Sequence, residues 1–125
     1  MILRTGRRAG SEYEFGQHTR IGRHAGLTDA EISTLAGDGR LPGADGDLVA
    51  MVDELCDDDV VTEETWRRLA QRWTAEQLLE LVMLAGYYRL VSGVLNSVGV
   101  ALEPGTPGWP PDAAGLRPAP REGQQ

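Results

Sequence analysis

Apolar residues recur at three- and four-residue steps through most of the first hundred positions, and no run of convincing length alternates with the period of a strand. The pattern predicts an all-α chain. Ser11 opens a helix over 11–25, with Ser11 as N-cap and Gly26 as a left-handed stop. Phe15, His18, Ile21 or Gly22, and Ala25 fall near one face of it, so His18 turns inward. Thr28-x-x-Glu31 is a capping box that starts a short helix through about Ala36, and a polar, glycine-rich loop follows. A third helix over about 46–56 buries Leu48, Val49, Val52 and Leu55. Thr62 caps a fourth, with Trp66, Leu69 and Ala70 facing inward. Thr74-x-x-Gln77 opens the longest, over about 75–98.

That last helix is apolar almost all round, from Leu78 to Val98. A helix apolar on every face is expected to be buried on every face, which in a chain this short requires partner subunits or a further segment. Either need predicts an oligomer or an exposed adhesive surface. Glu80, Arg89 and Asn96 within it argue against a membrane span. Gly86, Arg89, Gly93 and Asn96 share one face. Two readings fit them: a pocket wall with an anion-binding arginine, or close helix packing with Arg89 in an intersubunit ion pair. After Glu103 the chain turns to proline and glycine, with six of seven prolines in 104–120. The division expected is a helical domain over 1–103 and a flexible tail over 104–125, with Trp109 docking locally.

Composition narrows the classes. A length of 125 residues fits one domain plus a tail, and a formal net charge of −7 argues against nucleic acid or an anionic membrane as partner. The single cysteine, Cys56, cannot form an internal disulfide, and the neighbouring Asp57, Asp58 and Asp59 work against a reactive thiolate. Those three consecutive acids point in different directions, as a solvated connector would, not a metal site. The glycine-rich loop has no strand before it and no Gly-Lys-Ser/Thr, which excludes a phosphate-binding loop. The basic N-terminus lacks the apolar run of a signal peptide, so a cytoplasmic location is the default.

Chemistry concentrates in Ser11-Glu12-Tyr13-Glu14-Phe15-Gly16-Gln17-His18. Glu14 and His18 lie four apart and about 40° around the helix axis, so their side chains can meet. A carboxylate touching an imidazole fixes its tautomer and prepares a proton donor or acceptor near neutral pH. The same residues admit a plainer account. Ser11-x-x-Glu14 is also a capping box, and an inward histidine can be a hydrogen-bonded core residue. His18 and His24 diverge by about 120° and make no metal-ligand pair on one helix face.

Residues 2–18, ILRTGRRAGSEYEFGQH, with the following TRIGRHAGLTDAEI, resemble the signature of the carboxymuconolactone decarboxylase family, which includes the alkylhydroperoxidase D-like proteins. Residues around 49–55, the helix start at Val61-Thr62, and QLLELVMLAGYYRLVSGVLNSVGVALEPG at 77–105 extend the likeness to about residue 108. The resemblance implies an orthogonal, irregular bundle of about five helices with one long buried C-terminal helix, assembled as a homo-oligomer, a trimer or hexamer. It implies a cofactor-free, metal-free lyase acting on a lactone or small organic acid. His18 matches the family's motif histidine and Glu14 the acid before it. Arg20 or Arg89 would hold a substrate carboxylate, with Tyr87 and Asn96 completing the substrate-binding set.

Departures temper this. In the peroxide-reducing branch Ser11 and Glu14 would both be cysteines. Phe15 and Arg7 stand where tryptophan is usual, and Tyr87 where histidine is frequent. Relatives also carry a helix ahead of the ILRTG block, with a glutamate that joins the histidine. The recorded start is therefore expected to be internal or the domain shortened. An antioxidant activity and a non-catalytic oligomeric domain with an incomplete site are the alternatives.

Overall fold

The computed structural model describes residues 1–116 and, among them, contains helices and no strand. Six α-helices run in order: α1 Ile2–Arg8, α2 Glu12–His24, α3 Asp29–Ala36, α4 Gly43–Asp58, α5 Glu63–Leu69 and α6 Ala75–Val98. A 3₁₀ turn, Pro111–Leu116, closes the described chain. The all-α class is therefore as the periodicity predicts. There is one more α-helix than expected, because Ile2–Arg8 forms a helix of its own before Ser11.

Local chemistry sets most boundaries. Thr28 and Thr74 each accept from the amide three residues on, and Glu31 and Gln77 return the bond, so both capping boxes form. Thr62 accepts from the Thr65 amide. Gly26 takes φ +98°, where a side chain would strain the backbone, and ends α2 while the Leu27 amide donates to the Gly22 carbonyl. Helix α4 begins at Gly43, three residues inside the expected loop. It ends at Asp59, whose left-handed φ of 57° puts the third of the consecutive acids in a C-cap.

One core cluster joins Leu3, Phe15, Ile32, Leu35, Ala36, Val49 and Ala113, so it draws on α1 to α4 and the closing turn. A second gathers Met51, Leu69 and Leu78 from α4, α5 and α6. Arg4 locks the first. It is buried, its guanidinium takes both Asp53 oxygens at 2.7 and 2.8 Å, and it also donates to the Leu35 and Gly37 carbonyls. Arg7 donates to the Ala36 carbonyl. Two arginines of α1 thus cap the C-terminal end of α3, where unpaired carbonyls and the helix dipole favour a cation.

Three expectations about burial are corrected. Trp66 and Ala70 are exposed, and in α5 only Thr65 and Leu69 face the core. Ile21 and Ala25 are likewise outside, since α2 turns Phe15, Thr19 and Gly22 inward. The long C-terminal helix is not buried on every face: Leu78, Ala85 and Ser92 are buried, Leu81, Val82, Tyr88, Val91 and Leu95 are half-buried, and the rest of its 24 residues are exposed. Leu79, Met83, Leu84, Tyr87, Leu90, Val94 and Val98 stand exposed along it. Among the described residues, α6 is also the one helix long and apolar enough to cross a membrane by length and composition. Its Arg89 and Asn96 side chains bond back to α4 and to the loop after α1.

Where composition suggests a flexible tail from 104, residues 106–113 run back over α2 and α3. Trp109 stacks on Phe15 with centroids 4.9 Å apart, and its amide donates to Glu12 at 3.1 Å. Residues 117–125 of that stretch lie outside the described residues. The return depends on Gly16, where a Cβ would strike the Pro107 carbonyl and lie 2.9 Å from Leu102 Cδ2. Gly16→Ala is accordingly expected to lift this strap while α2 stays helical, read as a red shift of tryptophan emission with unchanged circular dichroism. Unaltered emission would contradict the assignment.

Candidate functional site

Helix α2 presents Glu14 and His18 toward α1 and α6. Gly6 makes the approach of α1 possible, since a Cβ there would meet the Phe15 amide at 3.3 Å and Glu14 Cβ at 3.4 Å. Only half of the Ser11-x-x-Glu14 capping box forms. Ser11 accepts from the Glu14 amide, but the Ser11 amide donates to the Gly6 carbonyl at 2.9 Å. The Glu14 side chain is therefore not spent on the helix start. Its Oε2 lies 3.2 Å from His18 Nδ1, and the two side chains are 9% and 13% exposed.

The same Nδ1 lies 3.0 Å from the Glu14 carbonyl oxygen. A carbonyl only accepts, so Nδ1 carries hydrogen in this arrangement and gives it to the Glu14 carbonyl, with the carboxylate close beside it. Glu14 Oε2 is buried and has no well-aligned hydrogen-bond partner. With Nδ1 committed, Nε2 is the nitrogen left to exchange a proton. Tyr88 packs edge-on against the imidazole, with ring centroids 5.0 Å apart and planes at 85°.

His18 lines a cavity of about 230 Å³ whose other walls are Met1, Ile2, Leu3, Ile21, Gly22, Leu27 and Leu84. The histidine is the only polar side chain in that lining. The arrangement can move a proton at one nitrogen in apolar surroundings. Among the described residues no group of histidine, cysteine or acidic side chains is placed to hold a metal ion.

The other residues singled out from the sequence are elsewhere. Arg20 is exposed on α2 and acts electrostatically on Glu103. Arg89 donates from Nη1 to the Leu55 carbonyl and to Asp59, both at 2.8 Å, so its ion pair lies within the chain. Asn96 donates to the Ala9 carbonyl at 2.8 Å. Tyr87 is exposed and touches Tyr88 edge-on. The structure brings Glu14 and His18 together and does not bring Arg20, Arg89, Tyr87 or Asn96 into the cavity wall. Tyr88 is what the sequence reading missed. No local signal separated it from Tyr87, since a helix apolar almost all round does not show which side is covered.

Cys56 lies in α4, partly buried, and burial is the main cause that pushes its thiol pKa up; the nearby Arg89 and Arg8 pull the other way. A raised thiol pKa leaves little thiolate at neutral pH. Alkylation of Cys56 by iodoacetamide is therefore expected to run slower than that of a free cysteine at pH 7 and to accelerate as pH rises past 9, followed by mass spectrometry. Fast labelling at neutral pH would contradict this.

No family model, curated protein or solved structure matches the chain.

Proposed function

We propose that this chain is a cofactor-free acid–base enzyme, akin to the carboxymuconolactone decarboxylases, acting on a lactone or other small organic acid. The observation that carries the reading is His18 in the wall of an apolar cavity, with Glu14 against its ring from behind. In the reaction, the bond from carbon to the carboxylate breaks, CO₂ leaves, and the electron pair stays behind as an enolate. An imidazolium at His18 gives its Nε2 proton to that carbon, while Nδ1–H stays with Glu14, whose carboxylate balances the ring's charge. Apolar walls suit a step that turns a carboxylate into neutral CO₂. The likeness of residues 2–18 and 77–105 to that family, with His18 and Glu14 at its motif positions, supports the same reading.

Peroxide reduction is the weaker alternative, since the one thiol lacks a resolving partner and is held protonated by burial. A non-catalytic oligomeric domain is favoured by one observation, the uncovered face of α6. The deciding experiment incubates the protein with a panel of carboxylated lactones and β-keto acids in D₂O. The expected result is CO₂ release with deuterium at the former carboxyl-bearing carbon, lost in His18→Gln. Turnover that survives His18→Gln would remove His18 as the proton donor, and a panel without any turnover would remove the proposal in favour of the domain reading.

A further inference from the structure

The exposed face of α6 is built to pair with itself. Leu79, Met83 and Leu90 are 59%, 65% and 64% exposed, although each is a residue that folding normally buries. On the same face stand Gly86, Gly93 and Ser97, all exposed. The six positions step by four, three, four, three and four, which is the alternation of a two-helix seam. The opposite side, with Leu81, Tyr88 and Leu95, is half-buried, and the buried Leu78, Ala85 and Ser92 lie about 120° around the axis from this face.

From this we infer that two copies of the chain associate through α6, antiparallel about a two-fold axis near Tyr88. In that register Leu79 faces Ser97 of the other copy, Met83 faces Gly93, and Gly86 faces Leu90. Every layer then sets one large side chain against one small one, the condition for interdigitation at close helix spacing. The symmetry is isologous, so each pairing occurs twice.

Three further observations favour a second copy as the occupant. A Cβ at Gly86 or Gly93 would meet nothing within 4 Å, so the glycines leave room that no part of the described chain fills. The Ser97 hydroxyl donates to the Gly93 carbonyl at 2.7 Å and can be covered without losing a partner. Tyr87, Val94 and Val98, also exposed, flank the seam. Covering the face over the roughly 28 Å from Leu79 to Val98 would bury about 1,200 Å² in total, within the range of stable interfaces. The inference stands on α6 alone and is independent of the His18 reading.

Equilibrium sedimentation at micromolar concentration tests it. The wild type is expected as a dimer or an even-numbered assembly of dimers. Gly86→Leu places two large side chains in each of two symmetry-related layers and is expected to weaken association by more than about tenfold. Because that position is open in one copy, the variant should keep its circular dichroism and melting temperature. The double variant Gly86→Leu with Leu90→Gly exchanges large and small within the layer and should restore the dimer. A monomeric wild type, an assembly indifferent to Gly86→Leu, or a chain that floats with phosphatidylcholine vesicles would each overturn the inference.

Discussion

Arg4→Met loses about 3–5 kcal/mol of folding stability, the cost of breaking a buried ion pair from one side. The methionine keeps most of the stem's apolar contact, so the loss isolates the guanidinium. Asp53, 22% exposed beside Arg4, keeps Arg8 at 3.4 Å as its remaining cation, and the Leu35 and Gly37 carbonyls lose a donor at the end of α3. The contrast is Arg8→Ala. Its side chain is 29% exposed and its partner Asp57 is 57% exposed, so about 1 kcal/mol or less is expected. Urea titrations read both, with the midpoint moving and the slope constant. Equal shifts for the two variants would show that Arg4 is an ordinary surface contact.

His18→Gln reduces turnover on a substrate found by the deuterium screen by about 10²–10⁴, the contribution of a positioned proton donor. The amide preserves size and can still donate toward Glu14, and the site is at the margin of the core, so stability should move little. Glu14→Gln is expected to be milder, about tenfold, because the Glu14 backbone carbonyl, 3.0 Å from Nδ1, still holds the ring. The ordering is the diagnostic part. A purely structural histidine would show the two substitutions tracking stability and not rate, which thermal melts alongside the kinetics would reveal.

The helices were legible where a side chain caps a backbone amide. Thr28, Thr62 and Thr74 start their helices as read, and Gly26 ends one, because those signals are local and few conformations satisfy them. Burial was less legible. Trp66 is bulky and apolar yet sits outside, and α6 has no single apolar stripe from which its covered side could be told. The Glu14–His18 contact followed from helix geometry alone. The placement of Arg89 and Asn96 did not, since it depends on where the end of α4 and the loop after α1 lie in space. Nor could spacing say which of two adjacent tyrosines meets the imidazole; α6's rotation puts Tyr88 there and turns Tyr87 out.

The strap that returns over α2 bears on the order of synthesis. Tyr13 donates to Glu103 at 2.8 Å across 90 residues of chain, and Trp109 reaches Glu12 across 97. A ribosome must release nearly the whole domain before Phe15 acquires its aromatic neighbour. Until then the earliest-made helices present an uncapped apolar side to the cell, and their survival falls to chaperones or to rapid completion of translation.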